Sequence, residues 1–319
     1  MRRHGGFSLT ELMIAMVLGL LLLGLTLTAF SSLSASSSQS RQLAFLQQNG
    51  QLAINLLYNE LQNAGFFGGQ TLAAMQRAVS NQAPPAADCF VDGMDSGSFP
   101  HANLAYLNVF AGQALPGRVL NCLNNLAPQT EYIQIKRAIG AAATPATMRH
   151  NRFYLLPDWQ YSRFVDHTNV PATADTVYPY QHLVLYIQLQ RQAGEDVPVL
   201  MRKRLIRNSA GHASISTDSM LDGVERLHFE FLIDSDLDGV PDYLLSTAEM
   251  TASHWLQQES RILGLRFYVL MRTLTPDRRY RNDRLYQMGK HSFQAPGDHY
   301  RRLLLSGAVK FDLTAEPAG

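Results

Sequence analysis

The first part of the chain is continuously apolar. From Leu12 to Phe30 no side chain is charged. As an α-helix, residues 7–30 would measure about 36 Å, which exceeds the roughly 30 Å hydrocarbon core of a bilayer, so we predict one transmembrane segment there. Arg2 and Arg3 precede the segment and should stay in the cytoplasm, which places the rest of the chain on the far side of the membrane.

After the serine-rich residues 31–40 the pattern becomes amphipathic. Apolar and small residues recur at spacings of three and four, which predicts a helix with one buried stripe. The stripe consists of Leu43, Leu46, Gly50, Ala53, Leu57, Leu61 and Ala64. No proline occurs between residues 7 and 64, so one continuous helix of about 85 Å is expected to end near Ala64, before Gly65, and to pack its stripe on a globular head. The simpler alternative is an amphipathic helix without any role in assembly.

Beyond residue 70 the pattern changes to β-rich, alternating runs separated by Gly, Pro, Asn and Asp. The runs are Glu131–Ile139, Arg152–Leu156, His182–Gln192, Pro198–Ile206, Val224–Ile233, Arg261–Arg272 and Arg301–Leu313. Residues 71–130 and 140–181 show little periodicity and are predicted to form long irregular insertions. The expected fold class is α+β, with a long helix packed on a mostly antiparallel sheet.

Composition adds little to this picture. The 319 residues are 46% hydrophobic, enough for a sizeable core, and the formal net charge is +1. Two basic clusters lie at residues 201–207 and 278–281, but one alternates like a solvated strand and acids dilute the other, so we do not expect direct nucleic-acid binding. No metalloprotease, serine hydrolase or nucleotide-binding motif occurs, and the ten histidines, including His228 and His254, lack metal-ligand spacing. We therefore do not expect an enzyme; a membrane-anchored enzyme with an unfamiliar site is the alternative.

The chain contains two cysteines, Cys89 and Cys122. On the oxidising side of a membrane, two thiols are expected to form a disulfide, which would stabilise the head by roughly 3 to 4 kcal/mol. Two separate buried thiols are the alternative.

One acidic residue, Glu11, lies at the edge of the apolar run, where a carboxylate costs about 2.5 to 3.5 kcal/mol unless it has a partner. The stretch Gly6-Phe7-Ser8-Leu9-Thr10-Glu11 closely resembles the class III leader junction of type IV pilins and pseudopilins. The resemblance implies that a prepilin peptidase cuts after Gly6 and methylates the new amino terminus at Phe7. Glu11 would then pair with the amino terminus of a neighbouring subunit in the fibre. An ordinary secretory signal and a plain signal anchor are the alternatives.

A second motif, Asn63-Ala64-Gly65-Phe66-Phe67-Gly68, resembles the signature at the end of the long helix in PilW-type minor pilins, which have large heads built on a split sheet. This resemblance divides the chain into a leader (1–6), a transmembrane half-helix (7–30), a periplasmic half-helix (31–65) and a β-rich head (66–319).

The same resemblance implies a function. The chain would lie in the inner membrane with its head in the periplasm, and would later sit at the pilus tip on the cell surface. With other minor pilins, the major pilin and the inner-membrane assembly platform, it would prime pilus assembly and hold a PilY-type adhesin, which serves twitching motility and adhesion. The alternative is a J-type pseudopilin at the tip of a type II secretion pseudopilus.

The stretch DSDLDGVPD, residues 234–242, matches most of a calcium loop, with Gly239 at the turn position. The predicted ligands are the carboxylates of Asp234, Asp236, Asp238 and Asp242 and the carbonyl oxygen of Val240. Leu245 stands where a bidentate acid is expected, so an ion would need further oxygens from Glu230, Glu249 or water. A weak site of this kind still fills at extracellular calcium levels. The alternative is an Asp-Gly turn whose acids are only solvated.

Overall fold

The computed structural model describes residues 8–101, 104–158 and 162–311, and for Val79 only the main chain. The predicted continuous helix is confirmed as α1, Leu9–Leu61. It ends at Leu61, slightly before the expected end near Ala64. By its internal contacts the chain divides into two units, Met1–Phe45 and Leu46–Gly319.

The first unit is, in its described part, almost entirely helical. Every large apolar side chain from Leu9 to Leu33 is at least 56% exposed. This part of α1 is long and apolar enough to cross a membrane, and within the described residues no other helix is. An all-round apolar, unburied helix is typical of a membrane span.

The second unit is built mainly of strands. The larger sheet contains β1 (Val79–Ser80), β2 (Val109–Gln113), β3 (Glu131–Ala138), β4 (Phe153–Leu156), β5 (Arg163–Val165), β6 (Tyr178–Gln192), β7 (Glu195–Arg207) and β8 (Ala213–Asp222). The remaining strands are β9 (Val224–Asp234), β10 (Tyr243–Ser246), β11 (Arg261–Arg272), β12 (Leu285–Met288), β13 (His291–Gln294) and β14 (Arg302–Lys310). Two short helices, α2 (Leu72–Gln76) and α3 (Ala252–Leu256), and a 3-10 turn (Pro145–Thr147) complete it.

The strands form two sheets and a hairpin. The larger sheet has the order β1-β5-β4-β6-β3-β2, with β7 paired to β6 and β8 paired to β7. The second sheet has the order β10-β9-β11-β14, and β12 pairs with β13. Every pairing of the described strands is antiparallel except β1 with β5. The α+β class and the mostly antiparallel sheet are therefore confirmed.

All seven predicted β-rich runs contain strands, but the predicted insertions are more regular than expected. Strand β2 and helix α2 lie in residues 71–130, and β5 lies in residues 140–181. Strands β8, β10, β12 and β13 also had no prediction. The missed strands are short or, like β8, rich in Ser, Thr and Asp, so they carry little periodicity of their own and depend on pairing with a neighbouring strand.

The core of the second unit lies on the inner faces of the two sheets. Strand β9 contacts β3, β6 and β7 of the larger sheet. Its side chains Leu227, Phe229, Phe231 and Ile233 are almost completely buried. A second, aromatic cluster of Phe67, Phe99, Tyr106, Phe153, Phe164 and Tyr180 joins the end of α1 to the larger sheet. The buried positions of the second unit discussed below are therefore held in a closely packed core.

Candidate functional site

Glu11 lies in the first turn of α1. Its Oε2 accepts a hydrogen bond from the main-chain N–H of Ser8 at 2.9 Å, and an acid is favoured at this end of a helix by the helix dipole. No basic side chain in residues 8–101, 104–158 or 162–311 pairs with it. Gly6 and Phe7, the predicted processing junction, lie outside the described residues. Within the described chain, the carboxylate therefore has a local hydrogen bond but no counter-charge.

The second half of α1 packs its predicted stripe. Leu46, Ala53, Leu57 and Leu61 are at most 1% exposed, and Gly50 is also buried. Leu43, which belongs to the first unit, is 42% exposed, so the stripe begins later than predicted.

Gly50 is the point where α1 meets strand β14. A Cβ atom on Gly50 would come within 2.7 Å of Leu305 Cδ1. Any larger side chain would have to displace the leucine, so the glycine allows this strand to approach the helix closely.

An arginine from the larger sheet caps the C-terminal end of α1. Arg137 on β3 is 4% exposed and donates from Nη1 to the main-chain oxygens of Asn59, at 3.2 Å, and Glu60, at 2.5 Å. Its Nη2 donates to Glu60 Oε2 at 2.5 Å. Arg202 on β7 donates to Glu60 Oε1 at 3.1 Å. The helix has no basic residue in its own last turn, so β3 supplies the cation that its free carbonyls need.

The motif of residues 63–68 follows directly after the end of α1. Gly65 and Gly68 both have positive φ, 89° and 65°, and a Cβ atom on Gly68 would lie 2.4 Å from the ring of Tyr178. Phe67 is 1% exposed in the aromatic cluster, and the main-chain oxygen of Phe66 accepts from Ala138 N at 2.7 Å. The two glycines thus turn the chain, and the two phenylalanines attach it to the larger sheet.

The predicted disulfide is confirmed. Cys89 and Cys122 are joined with an S–S distance of 2.03 Å and a Cα–Cα distance of 5.0 Å. Both cysteines are buried, and Leu120, Leu123 and Tyr132 pack in the same cluster. The bridge anchors a segment that the sequence pattern left without an apolar stripe.

A buried polar network lies nearby that sequence reasoning did not predict. Ser98 Oγ donates to Asp88 Oδ1 at 2.5 Å and lies 2.9 Å from His182 Nδ1. Burial, together with the charge of Lys136, holds the pKa of His182 well below its ordinary value. These residue types also occur in serine hydrolases, but there the histidine lies between serine and acid, whereas here the serine occupies the middle. With all three residues buried, the network is suited to holding loops together.

The aspartate loop brings three of its acids together. One oxygen from each of Asp234, Asp236 and Asp242 lies within 4.8 Å of the others. Asp234 accepts from Leu237 N at 2.7 Å and from Gly239 N at 2.9 Å. Both donors have positive φ, which directs the main chain around the acid. The loop therefore places hard oxygen donors in one place, as a calcium ion requires.

The other predicted ligands are placed differently. Asp238 is not part of this group of three, and its Oδ1 accepts from Val240 N at 2.7 Å. The hydrogen bond from the Asp238 N–H lowers the pKa of Asp236, but desolvation and the neighbouring aspartates together raise it above its ordinary value. The acids of the loop thus repel one another.

The two acids considered as additional ligands are engaged elsewhere. Glu230 Oε1 accepts from Lys290 N at 2.7 Å. Glu249 accepts from Ser246 N at 2.8 Å and pairs with the Lys290 ammonium at 3.0 Å, and these contacts lower its pKa to about 2. An ion in the loop would have to complete its shell with main-chain carbonyls and water, which fits a weak calcium site.

The first basic cluster is largely neutralised within the fold. Arg202 and Arg204 both pair with Asp218 at 3.2 Å, and Arg207 pairs with Asp166 at 3.2 Å. These arginines face acids of the same unit, which is typical of a solvated sheet face rather than of a phosphate-binding surface.

Comparisons with known proteins give two matches. Residues 184–312 match the family described as Type IV Pilus-assembly protein W. Residues 1–27 match the prokaryotic N-terminal methylation motif. No curated protein and no solved structure matches the chain significantly. The two regions together contain Glu11, the long strands β7, β9 and β11, and the aspartate loop.

Proposed function

Because this chain is a PilW-type minor pilin of the type IV pilus, anchored in the inner membrane by α1, we propose that it primes pilus assembly and is carried at the fibre tip. The observation that carries the proposal is Glu11, an acid in a membrane-length helix without a counter-charge in the described chain. A charge of this kind is retained when a partner subunit supplies the opposite charge.

In the proposed mechanism, prepilin peptidase cuts after Gly6 and methylates Phe7. The new cationic amine then pairs with Glu11 of an adjacent subunit, while the apolar surfaces of neighbouring helices pack together. The attraction between the two charges is greater away from water, and a misaligned helix would leave a buried charge unpaired, so the pair would set the axial register of the two helices.

The head supports a position at the end of the fibre. It carries two sheets and a hairpin, far more bulk than is needed to cover one half-helix. Such bulk is most easily accommodated where a fibre has a free end. There the head would hold a PilY-type adhesin in the periplasm first and on the cell surface later, with roles in adhesion and twitching motility.

Complementation of a deletion strain tests the priming role. Deleting the gene should remove most surface fibres, and the wild-type chain should restore them. Glu11→Ala should not restore them, although it should still be inserted and processed, whereas the neutral control Thr10→Ala should restore them. Normal fibre numbers after deletion would contradict priming. Normal fibres combined with loss of exported hydrolases would instead indicate the pseudopilus of type II secretion.

The aspartate loop supports a second proposal, a calcium site formed by Asp234, Asp236 and Asp242. With a dissociation constant of about 0.1 to 1 mM, about 10 mM Ca²⁺ would stabilise the fold by roughly 1.4 to 2.7 kcal/mol. Thermal unfolding of the detergent-solubilised full chain should therefore shift upward with Ca²⁺. Asp236→Ala should abolish the shift and Asp283→Ala, at an exposed acid outside the loop, should keep it. A melting curve that does not change between chelator and Ca²⁺ would overturn the proposal.

A further inference from the structure

A second polar site lies where β3, β9 and the β12–β13 hairpin meet. His228 Nδ1 is 2.8 Å from Glu131 Oε1, and both residues are buried, at 3% and 5% exposure. The other oxygen of Glu131, Oε2, accepts from Phe229 N at 2.8 Å and from the Thr247 hydroxyl at 2.7 Å. When Oε1 of Glu131 accepts the hydrogen bond from Nδ1–H of His228, the neutral imidazole has its lone pair on Nε2.

The Nε2 atom of His228 has no hydrogen-bond partner among the described residues. An unpaired buried nitrogen costs free energy and calls for an explanation. His228 lines a cavity of about 490 Å³, whose wall also includes His291 and Met288. The residue that carries the unpaired nitrogen therefore borders a space that a small ligand could fill.

The position of His291 suggests which ligand. Its ring centre lies 5.4 Å from that of His228. Two imidazoles that bind one tetrahedral metal ion at about 2.0 to 2.1 Å have ring centres roughly 5 Å apart. Met288, 1% exposed, is the cross-strand partner of His291 and adds a thioether to the same wall.

The cavity wall contains one basic and one acidic side chain besides the two histidines, Arg226 and Glu131. Arg226 also lines the cavity, but its Nη1 and Nη2 donate to the main-chain and side-chain oxygens of Gln129, and it stacks on Phe293 at 3.8 Å. Both Nη atoms are thus engaged within the fold, and only its Nε has no partner among the described residues. At His291 the charges of Glu131 and Arg226 act in opposite senses, so the positive charge of Arg226 in the cavity is opposed by an acid.

We propose that His228 and His291 bind a late first-row transition-metal ion such as Zn²⁺ or Cu²⁺. Imidazole nitrogen suits these metals, and a carboxylate behind the ligating histidine, here Glu131, is the usual support that orients the ring. Water and the Met288 sulfur are available for the remaining positions. The ion would cross-link β9 to the β12–β13 hairpin. This site is separate from the aspartate loop.

Metal titration of the untagged full-length chain in detergent tests this site, with a chromophoric chelator as competitor and Zn²⁺ and Cu²⁺ as probes. One equivalent of at least one of them should bind, and His291→Ala, at an exposed position, should weaken it at least 10-fold. Glu131→Gln should weaken it about 10- to 100-fold. The exposed control His212→Ala should change nothing.

Two outcomes would overturn the proposal: neither metal binds stoichiometrically, or His291→Ala binds as tightly as the wild-type chain. The result is independent of the calcium loop, because Asp236→Ala should keep the Zn²⁺ or Cu²⁺ site and excess Ca²⁺ should not empty it. If Glu131→Gln does not fold, the His291 and His212 variants still decide the question.

Discussion

Helix α1 carries two acidic residues, and they differ in whether a basic side chain pairs with them. Glu60, near its end, pairs with Arg137 at 2.5 Å and with Arg202 at 3.1 Å, and its side chain is 15% exposed. Glu11, in the first turn, has only the Ser8 N–H within the described chain. The same residue type thus stabilises the fold at one end of the helix, and at the other end it has no counter-charge within the described chain.

The apolar side chains show the same contrast. In the first unit they cover the whole circumference of the helix and are exposed, whereas from Leu46 onward they form one buried stripe. A circumferential pattern fits lipid and other helices, and a stripe fits one sheet. The pattern of exposure therefore separates residues that stabilise the head from residues that are available for assembly.

The largest effect should come from the stripe. Leu57 is completely buried, so Leu57→Ala should lower the free energy of unfolding by about 2 to 5 kcal/mol. Leu22, which is 63% exposed, is the matched control, and Leu22→Ala should leave the free energy of unfolding unchanged. Urea unfolding of the detergent-solubilised chain, followed by tryptophan fluorescence, measures both. Equal losses would remove the distinction between the two halves.

Replacing Glu60 and replacing Glu11 should have different effects in the same unfolding assay. Glu60→Ala leaves the buried guanidinium of Arg137 without its carboxylate and should cost about 1.5 to 3 kcal/mol. Glu11→Ala should not change the unfolding of the head, yet it should prevent entry into the fibre. A Glu60 variant as stable as wild type would show that the main-chain hydrogen bonds of Arg137 are sufficient to cap the C-terminal end of α1.

Histidine titration between about pH 5 and 8 should act on the head and not on residues 8–45, which contain no histidine. Burial lowers the pKa of His182, so below about pH 6.5 the unfolded chain binds a proton that the folded chain excludes. Stability should fall as the pH is lowered through this range, by at most about 1.4 kcal/mol per pH unit.

The pKa of Asp88 is raised, mainly by burial, and acts in the opposite sense, because that contribution is lost as the pH rises above 3.8. Comparing unfolding curves of wild type and His182→Gln isolates the histidine. His212→Gln, at an exposed position, should retain the full pH dependence. A pH dependence equal in His182→Gln and wild type would assign it to other groups.

The smallest effect should come from an exposed ion pair. Arg191 and Asp196 lie 3.0 Å apart at the β6–β7 turn, with side chains 69% and 60% exposed. Arg191→Ala should change the free energy of unfolding by less than about 0.5 kcal/mol. A loss of unfolding free energy as large as that of Glu60→Ala would mean that burial does not decide how much an ion pair stabilises this protein.

Local patterns predicted the elements well. The helix, the runs that became β9 and β11, and the aspartate loop all depend on residues close together in sequence, whose spacing carries the information. Strands β2, β5 and β8 were missed because they are short or polar, and their stability comes from the strand beside them.

The polar contacts of the head could not be predicted in this way. Arg137 meets Glu60 across 77 residues, Ser98 meets His182 across 84, and Glu131 meets His228 across 97. A charged residue inside a β-rich run indicates that something must neutralise it, but the pattern does not say which residue does so. Only the topology brings these partners together.

The Cys89–Cys122 bridge has a consequence for the durability of the protein. A protease that cuts one peptide bond between the two cysteines opens the loop but releases no fragment, because the sulfur atoms still join the two pieces. A head with this bridge tolerates a nick in its least regular segment and retains its strands on both sides of the cut.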